Sequence, residues 1–252
     1  MIIDTHCHLD KEYYENIGEV INNFTNGIMI ASAASIDSNY EVLELANKFS
    51  NVYCTLGIHP DYANYDYREC LDFIEKNINN KKVVGIGEIG LDYHYDGYDK
   101  IKQIQLFERQ IELAKKYNKT IVVHTRDAVN DTYEVLDKLK ANQVNITIHC
   151  FSESLEMANR FIKLGCKLGV GGVVTFKNGR KLKEVVENID ISHLLLETDS
   201  PYLAPEPLRG TRNEPNNVYL VAEKIAQLKN MSIDDVIMKT YKNSVKQYNM
   251  EV

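Results

Sequence analysis

Short apolar, β-rich runs recur along the chain at fairly even intervals, at residues 1–8, 27–33, 51–58, 82–88, 120–124, 145–150, 166–171 and 193–198. Most carry no alternating polar face, which is the pattern of strands buried on both sides in a parallel sheet. Between them the period becomes helical. In Gln103–Tyr117, Ile104, Phe107, Ile111 and Ala114 share one face, while Glu108, Glu112 and Lys115 fall elsewhere. Val218, Val221, Ala222 and Ile225 repeat that spacing after the last strand, and Ser232 with Asp235 has the form of a capping box opening a terminal helix. Eight strand–helix units in 252 residues predict an α/β fold, a (β/α)8 TIM barrel forming a single domain over residues 1–252. A doubly wound open sheet is the alternative, because the pattern alone does not show closure. No linker, repeat or low-complexity tract divides the chain.

Composition narrows the setting. With 44% hydrophobic and 26% charged residues, the chain reads as an ordinary globular protein. No apolar stretch approaches the ~18 residues needed to span a bilayer, and the first residues lack a basic, apolar leader pattern. The five cysteines (Cys7, Cys54, Cys70, Cys150, Cys166) are odd in number and form no CxxC pair, which fits a reducing, cytoplasmic setting. The net charge of −7 excludes a protein that coats nucleic acid through overall basicity. Contact with nucleic acid would need a local patch or bound cations.

The histidines carry the chemistry. Of seven, four fall at or just past predicted strand ends: His6, His8, His124 and His149. In a barrel those ends form the face on which active sites are built. A His-x-His pair alone is a weak metal signal, although residues two apart do share one side of a strand. Glu88 at the end of the fourth strand and Asp199 after the eighth strengthen it. Six such groups exceed what one catalytic metal takes from a protein, so they divide into a two-metal site sharing one carboxylate. Imidazole suits Zn, Fe, Ni and Mn, and carboxylates also accept Mg. Such a site generates hydroxide from water and clamps substrate oxygens.

Four segments resemble signatures of the TatD family, metal-dependent deoxyribonucleases within the amidohydrolase superfamily of TIM barrels. They are Ile3-Asp4-Thr5-His6-Cys7-His8-Leu9, Gly87-Glu88-Ile89-Gly90-Leu91-Asp92, His124-Thr125-Arg126-Asp127-Ala128 and Glu197-Thr198-Asp199-Ser200-Pro201-Tyr202-Leu203. Gly57-Ile58-His59-Pro60, Thr175-Phe176-Lys177-Asn178 and Arg209-Gly210-Thr211-Arg212-Asn213-Glu214-Pro215 are similar too. The resemblance implies 3′→5′ exonuclease or related phosphodiesterase activity on DNA, single-stranded or at frayed ends, supported by two divalent ions, usually Mg²⁺ or Mn²⁺. It places His6, His8 and Asp199 on one metal, His124 and His149 on the second, and Glu88 between them. Asp199 is the expected general base. His59, Arg212 and Asn213 are expected at the substrate, with Arg212 able to clamp a phosphate.

Weaker expectations surround this set. Lys177 is placed at the DNA backbone, whereas Arg180, Lys181 and Lys183 read as the solvated face of a helix. Tyr93, Tyr95 and Tyr98 offer a stacking surface or pack a lid. Asp4 and Glu197, each two residues before a ligand, are expected to point inward and orient ligands. No chemistry is assigned to His94, His193, Cys7 or Cys150, the last two being expected to turn away from the site. Glu153 departs from the family's usual glycine, and Asp61 adds another negative group. Both leave room for a rival reaction, hydrolysis of a small amide, ester or lactone by the same metals. A non-enzymatic metal-binding protein is the rival from another class.

Overall fold

A computed structural model of the chain describes residues 1–251. All eight expected strands form: β1 (Ile2–Cys7), β2 (Gly27–Ser32), β3 (Val52–Leu56), β4 (Val83–Asp92), β5 (Thr120–Arg126), β6 (Ile146–Ile148), β7 (Cys166–Val170) and β8 (Leu194–Leu196). They pair in parallel in sequence order. The helices are α1 (Ile17–Asn23), α2 (Ser38–Lys48), α3 (Arg68–Asn77), α4 (Lys100–Tyr117), α5 (Val129–Lys138), α6 (Leu155–Lys163), α7 (Arg180–Asn188), α8 (Val218–Lys229) and α9 (Ile233–Gln247).

The ring closes just beyond β8. The Asp199 N–H donates to the His6 carbonyl at 2.9 Å, and the His8 N–H donates to the Ser200 carbonyl at 2.7 Å. An isolated parallel bridge joins Cys7 and Ser200. This seam settles the alternative of an open sheet in favour of a barrel, and it brings the His6–His8 segment beside Asp199.

The apolar runs divide between two cores. Ile3, Ile28, Ile30, Val84, Val122 and Leu195 pack inside the ring with Tyr248 and Met250 from the segment after α9. Other apolar strand residues, among them Met29, Val52 and Ile121, belong to the larger core that includes Ile111 and Val221 of the helix layer. The Tyr248 end seals the base of the barrel. The Gln247 carbonyl accepts from Thr120 Oγ1 and Asn145 Nδ2, both at 2.7 Å. The expected terminal cap forms as well: Ser232 Oγ accepts from the Asp235 N–H at 3.1 Å and donates to its carboxylate at 2.8 Å. Such a cap contributes about 1 kcal/mol.

One boundary differs in a way that matters for the site. β4 does not stop at Glu88 but runs on to Asp92, and β5 runs on to Arg126. Glu88 and His124 therefore sit within strands rather than at their ends. The β4–β5 register shifts between Ile86 and Ile89 and then continues as Gly90 against His124 and Asp92 against Arg126. Gly90 allows this, because a Cβ there would collide with the His124 carbonyl and its φ of 146° disfavours a side chain.

Candidate metal centre

The barrel gathers all six expected residues at one end. His6 lies in β1, Glu88 in β4 and His124 in β5, while His8, His149 and Asp199 follow β1, β6 and β8 within three residues. His6, His8, Glu88 and His149 are each at most 5% exposed, and Asp199 is 9% exposed. Glu88 is the centre of the arrangement. Its Oε1 lies 2.8 Å from His124 Nδ1 and 2.7 Å from His149 Nε2. Its Oε2 lies 3.4 Å from His6 Nε2 and 3.8 Å from His8 Nε2. Asp199 Oδ1 approaches the same two Nε2 atoms at 3.7 Å and 3.4 Å. The His6 and His149 rings stack at 4.0 Å between centroids and join the two halves.

Protein groups fix which ring nitrogen faces inward. His8 Nδ1–H donates to the Ser32 carbonyl at 3.1 Å, and His6 Nδ1 meets the Ser32 hydroxyl at 3.1 Å. Thr55 Oγ1 donates to that hydroxyl at 3.0 Å. His124 Nε2–H donates to Asp92 Oδ2 at 3.0 Å, leaving Nδ1 for the site. Ser32, Thr55 and Asp92 were given no role from the sequence. Asp92 had a readable signal: it lies four residues beyond Glu88 on one strand, an even spacing that keeps both side chains on the same face.

The electrostatics favour cations. Burial lowers His6 to about 4, aided by the positive field of His149. Burial also opposes charge on His8 and His124, yet Asp199 and Glu88 raise His8 to about 9, and Asp92 and Glu88 raise His124 to about 10. Glu88 is held well below the usual carboxylate range: its burial pushes upward, but His149, His124 and His6 outweigh it. Asp199 is also lowered, with His8, His149 and His6 overcoming burial. The cluster therefore takes up protons where bound cations would sit.

The donor set fits metal ions on chemical grounds. His6 Nε2 and His8 Nε2 face each other at 3.3 Å, and His124 Nδ1 and His149 Nε2 at 3.2 Å. Two imidazole nitrogens so close share one proton at best, whereas one cation accepts both lone pairs. Groups able to hold an ion among the described residues include His6, His8 and Glu88; His6, His149 and Asp199; and Glu88, His124 and His149. His149 Nδ1 is buried without a hydrogen-bond partner, 3.9 Å from Glu197 Oε1. Leaving such a group unpaired costs about 1–3 kcal/mol, and a ligand on Nε2 would strengthen the pull of Nδ1–H toward Glu197.

A family model described as TatD related DNase matches residues 3–249. The chain belongs to this family. The TatD-related chain is 39% identical over 255 residues to an uncharacterized metal-dependent hydrolase of Bacillus subtilis, YabD, with 97% of each covered. It superposes on the crystal structure of YJJV, a TatD homolog from Escherichia coli, with a TM-score of 0.92 at 29% identity, covering 99% of this chain and 98% of that one. A TatD family hydrolase from Entamoeba histolytica gives 0.86 at 26%, covering 98% and 97%.

Around the centre, the TatD-related chain departs from expectation in four places. His59 does face the site: its Nδ1 accepts from the Asp61 N–H at 3.3 Å, and its Nε2 lies 4.0 Å from Glu88 Oε1. Asn213 does not offer a free side chain. It is fully buried, its Nδ2 donating to the Thr198 and Tyr202 carbonyls at 2.9 and 2.7 Å and its Oδ1 accepting from Glu214 N and Asn217 Nδ2. The Arg212 guanidinium is exposed but tethered, donating to the Tyr13 carbonyl at 3.0 Å and to Glu214 at 3.4 Å. Asp4 accepts from Thr198 N–H at 2.9 Å, Thr198 Oγ1 at 2.6 Å and the His6 N–H at 3.3 Å, so it holds the backbone beside Asp199 and of His6 rather than a ligand ring. Cys150 is the fourth. It follows β6 with φ of 46°, so strand alternation no longer applies, and burial together with the carboxylates of Asp199, Glu197 and Glu88 pushes its thiol well up.

Proposed function

We propose that this protein is a two-metal deoxyribonuclease, a 3′→5′ exonuclease acting on single-stranded or frayed DNA ends. The observation that carries the reading is the division of Glu88, one oxygen toward His6 and His8 and the other toward His124 and His149. His6, His8, Asp199 and Glu88 Oε2 would hold one ion; His124, His149 and Glu88 Oε1 would hold the other. Mg²⁺ or Mn²⁺ suits this mixed oxygen and nitrogen set, with Zn²⁺, Ni²⁺ or Fe²⁺ as further candidates. When bound, the ions supply Lewis acidity, lowering the pKa of a water and neutralising charge on the phosphoryl oxygens.

The residues of the chain do the rest. Asp199 takes the proton of the attacking water and returns it to the departing 3′-oxygen. His59, whose Nδ1 lies 3.3 Å from both the Asp61 N–H nitrogen and its carboxylate, turns Nε2 toward a phosphoryl oxygen at the mouth. Asn213 takes a positioning role in place of a substrate contact. It holds the segment after Asp199 to the 212–217 loop, which presents Arg212. Glu197, accepting from the Cys150 N–H at 2.5 Å, steadies the turn that carries His149.

A second reading, hydrolysis of a small amide, ester or lactone, draws on the acidic side of the mouth. Asp61, Asp92, Asp96 and Asp99 line a cleft of about 220 Å³ there, a poor host for a polyanion. One experiment separates the two. Metal-stripped protein is incubated with single-stranded DNA labelled at either end, before and after Mg²⁺ or Mn²⁺ is restored. The expected result is metal-dependent loss of a 3′ label as mononucleotide, with a descending ladder from a 5′ label. No shortening by fully loaded protein moves the assignment to the small-molecule reaction.

A further inference from the structure

We propose that a basic shelf built from the β7 and β8 loops carries the phosphates of the substrate strand as it leaves the metal centre. This rests on the deoxyribonuclease reading. Lys177, Arg180, Lys181 and Arg209 are all exposed on these two loops and the start of α7. Elsewhere on the surface Arg68, Lys100, Lys115, Lys116 and Lys138 each pair with a carboxylate. None of the four shelf cations does so among the described residues.

The shelf is held in shape by contacts between the two loops. Thr175 Oγ1 donates to the Gly172 carbonyl at 2.7 Å and accepts from the Glu206 N–H at 2.8 Å, joining the two loops. A Cβ on Gly172 would collide with the Leu203 carbonyl, so the loops meet backbone to backbone four residues beyond Asp199. Arg209 lies over the Phe176 ring at 4.3 Å, and Lys183 Nζ donates to the Phe176 carbonyl at 2.5 Å. The first turn of α7 has no capping side chain and no acidic residue, leaving its N–H donors open on the same end of the barrel.

Charge is thus divided around the mouth. The β3–β4 side carries Asp61, Asp96 and Asp99, and the β7–β8 side carries unpaired cations. In a chain of net charge −7 a polyanion is repelled from most of the surface, so a patch of unpaired cations on the loops packed beside the Asp199 segment draws the strand, which the unpaired Lys239, Lys242 and Lys246 of α9 do not. Arg180 and Lys181, read from sequence as a solvated helix face, join Lys177 as phosphate contacts.

The test is binding of a fluorescent phosphorothioate single strand, about a dozen nucleotides long, to metal-loaded protein across a salt series. Each phosphate contact on single-stranded nucleic acid contributes about 0.7 to the slope of log affinity against log salt. K177E/R180E/K181E is expected to weaken binding by about tenfold or more at low salt and to reduce that slope by about 2. K239E/K242E/K246E on α9 makes the same charge change away from the mouth and is expected to stay within about twofold of the parent. Equal losses in the two triples, or no binding by the parent, overturn the shelf. Shelf-dependent binding without any end-label shortening would instead leave the shelf standing and reject the nuclease reading.

Discussion

Glu88→Gln is expected to lower metal content from two ions to one per chain and to reduce kcat by about two to four orders of magnitude, or about 3–5 kcal/mol of barrier. The carboxylate presents one oxygen to each nitrogen pair. A carboxamide has one oxygen, and its NH2 group must then face imidazole nitrogens of the other pair at about the distances Glu88 now occupies. It cannot donate a lone pair to an ion there. The side chain is nearly the same size and 3% exposed, so packing is preserved and the loss reads the ligand rather than the fold. Metal analysis after dialysis, beside the rate on end-labelled DNA, checks both halves. A variant that keeps two ions and full rate would remove Glu88 from the bridge.

Asp199→Asn separates ligation from proton transfer. The amide oxygen can still face His6 and His8 from the position of Oδ1, at 3.7 and 3.4 Å from their Nε2 atoms. It cannot accept a proton from water. General-base catalysis is worth about 10²–10⁴ in rate, so kcat is expected to fall by that factor with KM little changed and metal content close to that of the parent. Metal analysis and steady-state kinetics on the same preparation make the comparison. A rate within about threefold of the parent would assign the proton to another group.

The contrast between these variants shows what the sequence discloses and what it hides. The eight strands were legible because runs such as Gly27–Ala33 are buried on both faces and need no polar side. The six candidate ligands were legible because a barrel sends strand ends to one face. Position along a strand was less so. The charge of Glu88 reads as a strand end, yet β4 continues through Ile89 and Leu91 because the carboxylate points into the ring and Gly90 admits β5 at close range. Cys150 was misplaced because a positive φ cancels the alternation that predicts side. Asn213 was misplaced for a different reason. A loop amide can bind substrate or bind its own loop, and only the carbonyls of Thr198 and Tyr202, 15 and 11 residues away, decide for the loop. Motif spacing fixes which residues are near one another, not which hydrogen bonds they have already made.

The central claim is that one carboxylate joins two half-sites, and its most direct test is electron paramagnetic resonance of the metal-stripped protein titrated with Mn²⁺. The account predicts uptake of two ions per chain and the spectrum of a magnetically coupled pair, which Glu88→Gln converts to that of isolated ions. Saturation at one ion, or two ions whose spectrum shows no coupling, would contradict it.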